Sequence, residues 1–142
     1  MSGVFETAAG AFAVVGVADV VIRSGRELYS FFADIADAPK DVERLRDNIN
    51  DITLLSETSR ECLNHLKNST TSVKVIALLD SALKALSREL QSLKSLLGRF
   101  KGGNKAWGRI KYVLDERKTK KALDNLERSK TLLGNALNLA QK

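Results

Sequence analysis

Apolar residues recur along this chain in steps of three and four, the repeat of a helix face, and no stretch shows the strict alternation of a strand. In the first stretch Val14, Val17, Val21, Gly25, Leu28, Phe32 and Ile35 share one face, which predicts a helix from about Val4 to Ala36 within a segment 1–36. Asp37-Ala38-Pro39 ends it, because the residue before a proline avoids the α region while proline suits a first helical turn. Val42, Leu45, Ile49, Ile52, Leu55, Ser59, Leu63 and Leu66 mark a second helix over 39–67. The polar run Asn68-Ser69-Thr70-Thr71-Ser72 reads as a loop rich in capping hydroxyls. Ile76, Leu79, Leu83, Leu86, Leu90, Leu93, Leu97 and Phe100 then give the cleanest stripe, over 72–101, closed by Lys101-Gly102-Gly103-Asn104. Over 105–141, Trp107, Ile110 and Leu114 predict a short helix, and Leu123, Leu126, Leu133, Leu137 and Ala140 a last long one. Amphipathic helices of this kind gain stability by burying their stripes against one another. The expected fold is therefore all-α: an antiparallel helical bundle of four long helices plus a short helix before the last, in one domain spanning 1–142.

Composition agrees with that class. A chain of 142 residues, 44% apolar and 28% charged, is long enough to bury a core and too apolar for disorder, and a single proline permits long helices. The lone cysteine, Cys62, has no partner for an internal disulfide or a metal site, and reads as a buried, inert thiol in a reducing cytoplasm. Asn68-Ser69-Thr70 matches a glycosylation triplet, which matters only in a secreted chain. Catalytic patterns are weak. Lys101 to Lys105 lacks the Lys-Ser/Thr ending of a phosphate loop, and His65, the single histidine, has no nucleophile or ligand pattern around it. Asp115-Glu116 reads as helix capping or a solvated pair. The chain is expected to be no enzyme and to need no cofactor or metal. Trp107 and Tyr112 read as core anchors of the short helix in preference to membrane-interface aromatics.

The first segment is unusual. Between Glu6 and Asp19 run twelve uncharged residues rich in Ala, Gly and Val. No Lys or Arg precedes them, as a secretory signal requires, and twelve residues rise roughly 18 Å as a helix against a hydrocarbon core of roughly 30 Å. Followed backwards from Val14 at 100° per residue, the core stripe meets only Gly10, Thr7 and Gly3. Phe5 and Phe12 fall on the opposite side, roughly 180° and 160° from Val14. Two readings follow: either the helix kinks at Gly10 or Gly16, or starts later, so that both rings pack inward, or this end is weakly docked and able to leave the bundle. Ala9, Ala13 and Gly16 suit close helix approach in lipid, where Glu6 and Asp19 would face a shared wet interior.

Charge is segregated. Lys94 to Lys130 holds twelve basic residues against four acidic ones, a net of +8 in a chain of net +6. Such a patch attracts anionic lipid or nucleic acid, but no recognition-helix, zinc-finger or base-stacking pattern accompanies it, so no specific nucleic acid is expected. A solvated face of a helical domain is the plain alternative.

The order of these features resembles a known family. An apolar start rich in Gly and Ala, then Asp37-Ala38-Pro39-Lys40-Asp41-Val42 opening a Leu-seamed helix, then Arg109-Ile110-Lys111-Tyr112-Val113-Leu114 before a Leu-rich last helix, is similar to the fungal HeLo-like domain, over nearly the whole chain. Members stand at the N-terminus of fungal NLR-type receptors, ahead of a NACHT or similar module. They often carry Trp in the closing segment where this chain has Tyr112. The resemblance implies a bundle that executes regulated cell death, relocating from the cytoplasm to the plasma membrane, oligomerising and inserting its first helix. Val4, Phe5, Glu6, Gly10, Phe12, Val15, Gly16 and Asp19 would then form the membrane-inserting set, and Lys101, Lys105, Arg109, Lys111, Lys118, Lys120 and Lys121 the contacts to lipid headgroups. The expected partners are an anionic phospholipid membrane, further copies of the chain, and a downstream nucleotide-binding module or activating receptor. The rival expectation is a helical interaction or oligomerisation adaptor without membrane activity.

Overall fold

The computed structural model describes the backbone of residues 2–66, 73–100 and 106–141, and the side chains of 10–65, 73–100 and 106–141. The loop read at 68–72, with its glycosylation triplet, and the turn at 101–104 lie outside these residues. The described residues form five α-helices: α1 (Ser2–Ala33), α2 (Lys40–Leu66), α3 (Val73–Leu97), the short α4 (Trp107–Ile110) and α5 (Glu116–Ala140). Among the described residues the one β-type contact is an isolated bridge between Ala36 and Ala106.

The four long helices bury the stripes that predict them. Leu45, Ile49, Ile52 and Leu63 of α2, Leu79, Leu83, Leu86 and Leu90 of α3, and Leu126 and Leu133 of α5 are fully enclosed. Each of α1 and α5 packs on both α2 and α3. Partner registers follow from the polar contacts. Asp19 and Arg26 of α1 meet Arg60 and Glu57 of α2, so α2 numbers fall as α1 numbers rise. Ser24 and Glu27 meet Gln91 and Lys94 of α3, where both rise together. Asn125 of α5 reaches Glu89 of α3 at 3.3 Å, and Lys130 reaches Asp51 of α2 at 3.7 Å.

Helix ends depart from the expected boundaries for local reasons. α1 stops at Ala33 instead of Ala36, because Asp34 and Ile35 turn back on the carbonyls of residues 30–32 and Asp37 adopts φ 59°, a left-handed conformation that Asp tolerates better than most residues. Ile35 remains buried beyond the helix. α2 opens one residue after Pro39, whose carbonyl accepts from the Val42 and Glu43 amides. α3 tightens into a 3-10 turn at Gly98–Phe100 in place of a further α turn. Asp115 caps α5, its carboxylate accepting from the Lys118 amide at 2.8 Å.

At the opposite end from Gly10, α4 closes the bundle. The Trp107 amide donates to the Ala36 carbonyl at 3.2 Å, and Ile110 and Leu114 are fully buried. Trp107 packs on the core as expected, but Tyr112 does not: it is 78% exposed, because it lies in the turn after α4 and points away from the face that carries Ile110.

Candidate functional site

α1 is a continuous helix from Ser2, so the later start considered for it is not what forms. Its two halves dock very differently. From residue 21 onward the buried apolar side chains are Val21, Ile22, Leu28, Phe31, Phe32 and, just past the helix, Ile35, with the two phenylalanine rings edge to face at 5.6 Å. Between residues 10 and 20 they are Ala11, Val14 and Ala18. A buried Leu, Ile or Phe contributes about 1.5–3 kcal/mol and an alanine methyl under 1, so the N-terminal half is held by far less. Gly10 sits against Ile76 of α3 with room for a methyl group, and Gly16 faces open space.

The membrane-inserting set divides accordingly. Phe12 is 60% exposed, on the side of the helix opposite Val14, and Gly16 is exposed beside it. Gly10, Val15 and Asp19 are half-buried, Val15 packing on the core. The side chains of Val4, Phe5 and Glu6 lie outside the described residues. Asp19 has a partner in the closed bundle that spacing did not reveal: Arg60 Nη1 donates to its Oδ1 at 2.8 Å. That hydrogen bond, ahead of the charges of Asp19, Glu57 and Glu61, holds the Arg60 guanidinium above its ordinary titration range. Arg26 and Glu57 form a second link between the same two helices.

α1 and α2 approach closely because their facing residues are small. Ala11, Ala18 and Gly25 repeat every seventh residue along α1, and Gly25 lies so near Thr53 that an added Cβ would overlap the Thr53 hydroxyl. α2 answers with Thr53, Ser56 and Ser59, all buried. Thr53 and Ser59 satisfy their hydroxyls on the carbonyls of Ile49 and Leu55, at 2.9 and 2.8 Å. Asn48 and Ser56 are buried with no hydrogen-bond partner among the described residues. The heptad recurrence of small residues was the signal available for this seam; Ala13 and Gly16 are exposed on another side of α1, and the side chain of Ala9 lies outside the described residues.

The basic residues gather at the end of the bundle where α3 finishes and α5 begins. Arg99, Arg109, Lys111, Arg117, Lys118 and Lys121 are exposed there. Arg99 lies over the Phe100 ring at 5.1 Å, and Lys111 over the Tyr112 ring at 5.5 Å. Lys120 pairs with Glu116 one turn earlier at 3.1 Å. Lys101 and Lys105 lie outside the described residues. Since α1 ends here and begins at the other end, the described headgroup residues stand apart from Gly10, Phe12, Val15 and Gly16, with the C-terminal half of α1 between them.

His65 is exposed, and Cys62 is half-buried instead of enclosed; partial burial still pushes its thiol up, away from the reactive thiolate. Among the described residues no group of three His, Cys, Asp or Glu side chains is placed to hold a metal ion, and no helix is long and apolar enough to cross a membrane. Comparison of the chain with family models, curated protein sequences and solved structures yields no match.

Proposed function

We propose that this chain is a membrane-acting cell-death effector whose basic end docks on anionic phospholipid and whose first helix then leaves the bundle, oligomerises and enters the plasma membrane. The observation that carries the reading is the asymmetry of α1: Phe12 turned outward over an inner face on which Gly10, Ala11 and Ala18 surround a single buried valine, Val14. The resemblance of the sequence to HeLo-like domains points the same way. On this reading the bundle is antiparallel, α1 and α3 running one way and α2 and α5 the other, as the opposed registers of Asp19–Arg60 and Glu27–Lys94 favour. Insertion belongs to the assembly and not to a lone helix, with Glu6 and Asp19 meeting water between copies.

A lock tests it. Cysteines at Gly10 and Ile76, where an added Cβ stands 3.8 Å from Ile76 Cγ2, tie α1 to α3 in a Cys62→Ser background. The oxidised protein is expected to leave anionic vesicles sealed and the reduced protein to make them leak. Equal leakage in both states, or none in either, overturns the reading.

A second reading is the adaptor. It is favoured by exposed leucines on three helices, Leu54, Leu78, Leu132 and Leu139, each about half accessible. If this reading holds, Leu132→Ser/Leu139→Ser abolishes self-association in sedimentation while Phe12→Ser leaves it intact.

A further inference from the structure

At the basic end, beside the exposed cations, lies a cleft of about 460 Å³ with the opposite character. Pro39 and Val42 from the start of α2 and Trp107 and Tyr112 from α4 and its following turn form its walls, which are mostly apolar. Asp41, Asp115 and Glu116 stand around it, and Lys111 completes the rim. Aromatic rings and carboxylates around an apolar space stabilise a cation whose own surface is greasy, through the ring quadrupole and the carboxylate charge together.

Which cation follows from the hydrogen bonding. Asp115 already accepts from the Lys118 amide, Glu116 from Lys120, and Asp41 is paired with Arg44 at 3.8 Å. The cleft thus offers negative charge with part of its acceptor capacity already used. An ammonium or guanidinium would compete for these oxygens with the Lys118 amide, Lys120 and Arg44. A quaternary ammonium has no donors to place and asks only for charge and contact. Next to it, Lys111 over the Tyr112 ring, with Arg109 and Arg99 lining a neighbouring groove that Tyr112 shares, supply what a phosphate one short link away requires.

We infer that this cleft binds a phosphocholine group, its trimethylammonium against Trp107 and Tyr112 and its phosphate toward Lys111 and Arg109. The inference deepens the membrane reading by naming a zwitterionic headgroup that the basic end recognises in addition to anionic lipid. It also accounts for the outward Tyr112 as a wall of the site.

Trp107, the single tryptophan, reports on the site directly. In a fluorescence titration of the whole chain, phosphocholine is expected to shift the emission saturably, while inorganic phosphate and phosphoethanolamine at equal ionic strength do not. Tyr112→Ala, a change at an exposed position, weakens binding about tenfold, and Asp41→Asn/Glu116→Gln weakens it comparably with the melting temperature kept. Vesicles with a constant phosphatidylserine share distinguish lipid from free ligand: replacing phosphatidylethanolamine by phosphatidylcholine should raise retention several-fold, and Tyr112→Ala should erase the difference. An equal response to phosphoethanolamine, or no saturable shift, overturns the inference even where serine-lipid vesicles still retain the protein. A normal phosphocholine titration with no retention on any vesicle upholds the cleft as a site for a soluble ligand and removes the membrane reading instead.

Discussion

Two glycines of the same helix have opposite meanings. Gly25 is where α1 touches α2, and the Thr53 hydroxyl that a methyl would displace is bonded to the Ile49 carbonyl. Gly25→Ala is expected to cost about 1–3 kcal/mol from overpacking, restored in large part by Thr53→Ala in the same chain. Gly16 has nothing near it, so Gly16→Ala should stabilise by about 0.5–1 kcal/mol through helix propensity. Urea unfolding followed by circular dichroism checks both signs. Much at this scale was hidden in the sequence. Tyr112 read as a core anchor because aromatic residues bury large area, yet its position in a turn after a single helical turn leaves it outside. Asn48 and Ser56 are buried in α2 with no hydrogen-bond partner among the described residues, which no periodicity reveals, since the stripe fixes which positions are inward and not what each meets there.

For whole elements the sequence was more legible. Four long helices and a short one form along the segments that the three-and-four spacing marked, with their ends shifted by a few residues, because a stripe is a local pattern and helix ends are set by caps and turns. What spacing left open was how firmly each element is held, which depends on side chains from other helices. Asp19 read as a residue for a wet assembly interior, and in the closed bundle it is the partner of Arg60. Both side chains are more than a third exposed, so a double-mutant cycle of Asp19→Asn and Arg60→Gln should give a coupling of about 0.5–1 kcal/mol that shrinks in high salt. Because Arg60 is shifted upward, its share of the coupling is complete below the ordinary guanidinium range and fades only as pH climbs through it, so no loss from Arg60 titration is expected between pH 5 and 9. If the membrane reading holds, Asp19→Asn also lowers the protein concentration needed for vesicle leakage.

Across the molecule much of the charge excess of the segment from Lys94 to Lys130 falls at one end, where Arg99, Arg109, Lys111, Arg117, Lys118 and Lys121 are exposed. Which cations are available there was not legible, since the pairing of Lys94 with Glu27 and of Lys130 with Asp51 is tertiary. Arg109, Lys118 and Lys121 remain at the surface. At about 1 kcal/mol for each cation near an anionic surface, Arg109→Ser/Lys118→Ser/Lys121→Ser should lower partitioning onto phosphatidylserine vesicles about 100-fold at low salt. Phe12→Ser should leave that partitioning unchanged and abolish leakage, which separates arrival at the bilayer from damage to it; vesicle co-sedimentation and dye release measure the two.

The short connection over residues 34–39, pinned to Ala106 and Trp107 by the Ala36 carbonyl, is the joint by which α1 hangs from the rest. A rod of 32 residues is about 48 Å long, half again the thickness of a hydrocarbon slab. If the membrane reading holds, only the stretch before Val21 is held loosely enough to move, roughly 28 Å of that rod, so the depth of the stroke is set by where the docking of α1 strengthens and not by its whole length.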